Sequence, residues 1–138
     1  MTIVQTQTTS FKKELYQAVH NLSTDTIKIA LYTANADLNA ATTVYSSTNE
    51  VVASGYTAGG NTLAGVTISS SDYTAYVNFS NTSWSSALTA RCALIYNATQ
   101  GNKSIAVIDF GADKTSVTTF LITMPANTAT TALIRSSN

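Results

Sequence analysis

The chain has 138 residues, of which 44% are hydrophobic and only 10% are charged, with seven basic and seven acidic side chains. The formal net charge of zero excludes a nucleic-acid binder that works by neutralising phosphates, and it excludes a charge-driven disordered tail. No run approaches about 18 consecutive apolar residues, and the first residues lack a signal-peptide pattern, so we expect no membrane association. The length fits a single domain with its own core.

The polar share of the sequence comes from hydroxyl and amide side chains, with 24 Thr, 16 Ser and 11 Asn. Thr, like Val, Ile, Tyr and Phe, fits the half-buried surface of a pleated sheet, so the composition favours strands. A surface with few charges also suits a permanent interface, because few ions must be desolvated when it packs against a partner. A stable extracellular or storage-type β domain without a special partner is the alternative.

The N-terminal residues predict an arm followed by a helix. Residues 1–10 are polar and without period, which is typical of an arm that is ordered only where something holds it. Residues 11–21 predict the helix, because apolar residues recur at every fourth position from Phe11. Ser10 is the expected N-cap. A helix this short is marginal alone, so we expect it to lie on a sheet.

From residue 27 onward the pattern is that of a β protein. Alternation with period two predicts a strand over 27–32, and the Thr- and Asn-rich segment 33–61 predicts a long loop, which is often functional. Further strands are predicted at residues 62–68, 73–79, 84–88, 90–96, 104–110, 117–124 and 131–134. Such spacing predicts an all-β fold, a β-sandwich or jelly roll of seven or eight short antiparallel strands with one short N-terminal helix. We assign 11–124 to this single domain and 125–138 to a C-terminal tail.

Residues that could support catalysis or metal binding are few. His20 is the only histidine, and its position predicts an ordinary histidine at the helix end, facing the last carbonyls. Cys92 lies within a predicted strand on an apolar face, which favours a structural role over a reactive thiol. One Cys and one His cannot supply a usual metal site, and the seven acids lack calcium-loop spacing. We therefore predict no enzyme, no metal and no cofactor.

Aromatic side chains are the remaining candidates, because Tyr and Trp are favoured where a polar tip still finds a partner. Tyr32 and Tyr76 fall on the face opposite the apolar residues of their strands, so we expect them to be exposed or covered by another chain. The other aromatic residues that would line an interface or a sugar-binding face are Tyr45, Tyr56, Tyr96 and Trp84. Ordinary packing at the rim of the core is the alternative.

Several stretches of the N-terminal half form a recognisable pattern. They are residues 11–20 (FKKELYQAVH), 25–33 (DTIKIALYT), 43–45, 49–51, 55–60 (GYTAGG) and Leu63. Together they resemble a family of small virion proteins of tailed bacteriophages, and the resemblance covers about residues 11–68. At least some members of that family are capsid cement, or decoration, proteins with a β-sandwich or jelly-roll fold. The resemblance brings no catalytic residues with it.

The resemblance implies a non-enzymatic virion protein, with a capsid cement protein as the leading hypothesis. Its partners would be the major capsid protein and further copies of the chain, as a dimer or trimer on the capsid exterior, after synthesis in the bacterial cytoplasm. The expected contact elements are the arm 1–10, the loop 33–61 and the tail 125–138. The expected interface residues are Thr2, Ile3, Val4, Tyr32, Tyr45, Tyr56, Tyr76 and Ile134.

Two other hypotheses remain open from the sequence. A tail, neck or fibre component would be present in far fewer copies per particle, and it would bind host glycan through exposed tyrosines and Trp84. A small hydrolase would depend on His20 as its base.

Overall fold

The computed structural model describes residues 2–137, which contain ten strands and one helix. In chain order the elements are β1 (Thr6–Gln7), α1 (Thr9–Tyr16), β2 (Ile27–Tyr32), β3 (Asn61–Thr62), β4 (Thr67–Ser71), β5 (Thr74–Asn78), β6 (Thr82–Trp84), β7 (Thr89–Asn97), β8 (Lys103–Thr115), β9 (Phe120–Ile122) and β10 (Ile134–Ser137). The predicted all-β class with a single short helix is confirmed for this part of the chain.

The largest sheet has five antiparallel strands in the order β1-β8-β7-β2-β3. Successive side chains of a strand point to opposite faces, so this sheet presents two sets of residues. Ile29 of β2 and Ile95 of β7 are paired on one face, and their neighbours Ala30 and Leu94 are paired on the other. All four are fully buried, so the sheet is covered on both sides.

A β-sandwich-like core lies between the first of these faces and two smaller sheets, β10-β5-β4 and β6-β9. Helix α1 adds Phe11, which is fully buried in the same core. The other large members of this core are Leu22, Ile27, Ile29, Leu31, Val51, Tyr56, Leu63, Phe79, Trp84, Leu88, Ile95, Ile105, Phe120, Ile122 and Ile134. Full burial of each aliphatic or Phe side chain of this size stabilises the fold by about 1.5–3 kcal/mol.

The segment 33–60, predicted as a long loop, packs on both sides of the five-stranded sheet: residues 36–45 form a covering layer over its second face, and Val51 and Tyr56 pack in the core on the first face. Leu38 of this layer is buried with Tyr32 and Leu94 in a second hydrophobic cluster. Isolated backbone bridges fix the layer in place, including one between Val44 and Lys103 at the start of β8. The inner side of the segment is therefore part of the hydrophobic core. The predicted loop boundary at residue 61 falls within β3.

Helix α1 begins earlier and ends sooner than the predicted span 11–21. The expectation that Ser10 is the N-cap is wrong: Thr8 is the N-cap, and its Oγ1 accepts a hydrogen bond from the backbone N–H of Phe11 at 3.3 Å. The chain leaves the helix at Ala18, which has a φ of +57° and thus a left-handed conformation that ends helices.

Both ends of the chain belong to its own sheets. Strand β1 pairs with β8, and the backbone N–H of Thr2 donates to Asp37 at 3.0 Å. Strand β10 pairs with β5 along its whole length. The described parts of the predicted arm and tail are thus held through β1 and β10, where strand edges of the same chain supply hydrogen-bond partners. Met1 and Asn138 lie outside the described residues.

Strand boundaries differ from the predicted ones where hydrophobic alternation is weak. The predicted strand 62–68 is divided into β3 and β4, and 117–124 contracts to β9. The predicted strand 84–88 is replaced by β6, which ends at Trp84, and 131–134 is replaced by β10, which begins at Ile134. Strand β8 extends five residues beyond the predicted end. Its pairing with β7 is interrupted by a bulge and resumes at Lys114 and Thr115.

Candidate functional site

The structure separates the eight predicted interface residues into three groups. Tyr32, Tyr56 and Ile134 are buried within the chain, so the expectation that Tyr32 is exposed is wrong. The reason is that residues 36–45 cover its face of the sheet. Ile3, Tyr45 and Tyr76 are partly buried, and Thr2 and Val4 are exposed.

Two of the predicted interface tyrosines meet at a buried carboxylate that the sequence analysis did not single out. Glu50 is only 7% exposed. Its Oε1 accepts a hydrogen bond from the hydroxyl of Tyr45 at 2.6 Å. Its Oε2 accepts one from the hydroxyl of Tyr56 at 2.6 Å and one from the backbone N–H of Gly59 at 2.7 Å. The carboxylate is thus satisfied by three donors, as a buried charge requires.

Further contacts connect this cluster to the sheet below it. The hydroxyl of Tyr96 donates to the carbonyl of Gly59 at 2.6 Å, and the ring of Tyr96 stacks on Tyr45 with centroids 4.7 Å apart. The hydroxyl of Tyr56 also accepts the backbone N–H of Leu31 at 2.9 Å. The network therefore fastens the covering layer to β2 and β7. The sequence carries no signal for it, because Asp37 of the same segment is exposed whereas Glu50 is buried.

Burial raises the pKa of Tyr32, Tyr45 and Tyr56 well above the ordinary value, and hydrogen bonds to Glu50 add to the rise for Tyr45 and Tyr56. Burial also raises the pKa of Tyr96 to about 12. A group whose pKa is higher in the folded state contributes stability below its unfolded pKa, about 10 for Tyr, and loses it as the pH rises through the folded value.

Alkaline titration tests this assignment. Because four of the seven tyrosines carry raised pKa values, we expect them to ionise only as the fold is lost above about pH 10. Tyrosinate absorbance and circular dichroism, recorded together, should show one joint transition for this group. The control Tyr73→Phe, at an exposed side chain, should leave that transition in place. Ionisation of all seven tyrosines without unfolding would contradict the network.

His20 is buried in a second polar network beyond the end of α1. Its Nε2 lies 2.9 Å from Oε1 of Glu14, and its Nδ1 lies 3.0 Å from the side-chain nitrogen of Asn97. Since the amide nitrogen of Asn97 can only donate, Nδ1 accepts and Nε2 carries the proton that is donated to Glu14. The same amide donates to Asp25 at 2.8 Å, and that hydrogen bond is the main cause that lowers the pKa of Asp25.

This arrangement corrects the picture of a histidine that faces helix carbonyls. The two ring nitrogens of His20 contact the carboxylate of Glu14 and the amide of Asn97, and neither partner is the Ser or Cys of a hydrolase triad. Cys92 is fully buried, and burial raises the pKa of its thiol to about 11, which keeps it protonated and unreactive near neutral pH. Within residues 2–137, no three His, Cys, Asp or Glu side chains converge as metal ligands.

A groove of about 640 Å³ lies between β8 and β9. Its apolar lining residues are Ile108, Phe110, Phe120, Leu121, Ile122, Met124, Pro125 and Leu133. Lys114 is the one charged residue among the described side chains that line it, so the groove contains no acid–base pair for catalysis. Trp84 is only 4% exposed and packs against Phe120 in the core, so it is not part of an exposed sugar-binding surface of the kind that the alternative hypothesis requires.

Comparison of the chain with protein-family models, curated proteins and solved structures finds no match. The single helix within residues 2–137 is too short and too polar to cross a bilayer.

Proposed function

We propose that this chain is a non-enzymatic structural protein of a tailed-bacteriophage virion, a capsid cement protein that binds neighbouring major capsid subunits on the outside of the shell. The supporting observation is the family resemblance over residues 11–68. The stretches that carry it contain most residues of the two buried networks, namely Glu14, His20, Asp25, Tyr45, Glu50, Tyr56 and Gly59, while Tyr96 and Asn97 lie outside them. Such residues maintain a fold, so the resemblance supports a common architecture rather than a common reaction.

The surface of the chain supports protein binding in preference to catalysis. Charged side chains make up only 10% of the sequence, so few ions lose water when the surface is covered. Large hydrophobic side chains remain exposed on several sides among the described residues: Val4, Leu15, Tyr16, Val44, Val52, Ile68, Tyr73, Val117 and Leu121. Exposed apolar groups in this number suit contacts with more than one neighbour.

A cement protein acts by mass action. Because it binds the assembled shell more tightly than free capsid subunits, it shifts the equilibrium toward the shell. A standard interface takes about 800 Å² from each partner, which is a small part of the 7126 Å² that this chain exposes. Since β1 and β10 are paired within the sheets of the chain, exposed side chains and the outer side of the segment 33–60 make the proposed contacts.

The proposal is tested by heating phage particles that lack the protein. We expect such particles to melt and release their DNA at a lower temperature than complete particles, because the bridging contacts are gone. Adding the purified protein back should restore the melting temperature. Attachment should change little between about 50 and 500 mM salt, since few surface charges are available for screening.

An unchanged melting temperature and burst resistance in particles without the protein would contradict the cement role. The copy number, measured by quantitative mass spectrometry of purified particles, separates the two virion locations. A number comparable to that of the major capsid protein supports the shell, and a small fixed number supports a tail, neck or fibre.

A further inference from the structure

The sheets end in six edge strands, and strand β4 is the least protected of them. Strands β1 and β3 have two residues each, and β6 and β9 have three. Strand β10 carries Arg135. Strand β4 has five residues without a charge, a proline or a bulge, which are the devices that normally block pairing with another chain.

The backbone of β4 offers hydrogen-bonding groups at its open edge. It forms a hairpin with β5 in which Ser71 pairs with Thr74 across a two-residue turn. In such a hairpin, alternate residues direct their N–H and C=O groups toward the partner strand, beginning with the pair next to the turn. Ser69 and Ser71 therefore face β5, and Ile68 and Ser70 direct their backbone groups toward solvent.

The side chains next to this edge are apolar on one face. Ile68 is 53% exposed and lines an open groove together with Leu15, Leu22 and Val77. Leu15, on the adjacent surface of α1, is 41% exposed. A chain that paired with β4 would thus cover both unpaired backbone groups and exposed hydrocarbon, which is the usual basis of strand addition.

We propose that the occupant is a second copy of this chain, with β4 of each copy paired antiparallel about a two-fold axis. With Ser69 on the axis, Ile68 of each copy lies opposite Ser70 of the other, and the two pairs exchange four backbone hydrogen bonds. The absence of charge makes the strand complementary to itself. Asp72 at the turn falls opposite Val66, so no like charges meet. The result is a continuous sheet in the order β10-β5-β4-β4-β5-β10.

The experiment measures the mass of the purified chain by sedimentation between about 1 and 500 µM. We expect a reversible monomer–dimer equilibrium in the wild type. Ile68→Lys brings two cations to the interface and should raise the dissociation constant at least about tenfold. Ser70→Pro removes an N–H that points to solvent in the monomer, so it should also remove the dimer while circular dichroism stays unchanged.

The matched control is Leu121→Lys, which places the same charge at an equally exposed apolar residue beside the groove between β8 and β9. It should leave the dimer intact. A wild-type chain that remains monomeric over the whole range overturns the proposal, as does dimerisation that survives Ser70→Pro or is lost only in Leu121→Lys. A dimer formed in this way needs no capsid, so a failed capsid experiment leaves this test unaffected.

Discussion

Replacing Gly60 with alanine is expected to destabilise the fold by about 2–4 kcal/mol, a large part of the 5–15 kcal/mol that holds a typical domain together. Gly60 has a φ of +77°, and a Cβ there would overlap the carbonyl oxygen of Ile29 and lie 2.8 Å from Cα of Ala30. Both contacts are backbone atoms of β2, a strand buried on both faces, so they cannot move independently. Left-handed strain contributes about 1 kcal/mol and overpacking about 1–3 kcal/mol.

The matched control for Gly60→Ala is Gly111→Ala. Gly111 has a similar φ of +82°, but a Cβ there meets no atom within 4 Å. Both substitutions restrict the unfolded chain equally, so their difference isolates the contact with β2. Urea unfolding should place Gly111→Ala within about 1 kcal/mol of wild type. Equal losses of stability in the two variants would mean that the backbone at Gly60 does not lie against the backbone of β2.

Replacing Glu50 with alanine is expected to cost about 3–5 kcal/mol, because it leaves buried donors without an acceptor. The hydroxyls of Tyr45 and Tyr56 and the backbone N–H of Gly59 all donate to this carboxylate. Glu50→Gln should cost less, about 1–2 kcal/mol, since the amide oxygen can still accept from Tyr56 and Gly59 while the hydroxyl of Tyr45 turns to accept from the amide nitrogen. Chemical unfolding of the three proteins measures this series.

A control for the Glu50 series is Asp113→Ala, at an exposed acid in β8, which should change stability by less than about 0.5 kcal/mol. A double-mutant cycle between Glu50→Ala and Tyr45→Phe should show coupling, because the two side chains share a hydrogen bond. Additive effects, or a Glu50→Ala variant as stable as wild type, would show that the carboxylate does not hold the layer.

The fold class followed from local information in the sequence. Alternation from Ile27 to Tyr32 predicts a strand without any knowledge of its neighbours in the sheet. The reason is that successive side chains of an extended backbone point to opposite sides. The apolar spacing from Phe11 predicts the helix, but it does not identify the N-cap. Ser10 is the predicted N-cap, and Thr8 is the N-cap in the structure. The position of the N-cap depends on where strand β1 ends, because Thr8 directly follows the last residue of β1 that pairs with β8.

The candidate site could be predicted only in part. The sequence offers Tyr45 and Tyr56 only as members of a set of aromatic residues that would line an interface or pack at the rim of the core. The structure turns them inward to Glu50, whose own burial had no sequence signature. In the same way, His20 stood out as the only histidine, while its partner Asn97, far away along the sequence, could not be identified.

The sequence by itself determined the preference for strands, the single helix and the scarcity of charge, since each depends on residues close together in the chain. Only the tertiary structure decided that the segment 33–60 packs on both sides of a sheet, that β1 and β10 pair with other strands of the same molecule, and that β4 is left with an open edge. Those outcomes depend on contacts between residues far apart in sequence, and many different pairings satisfy the same local pattern. The choice among them is made by which pairing buries the most hydrocarbon and leaves the fewest buried polar groups without partners.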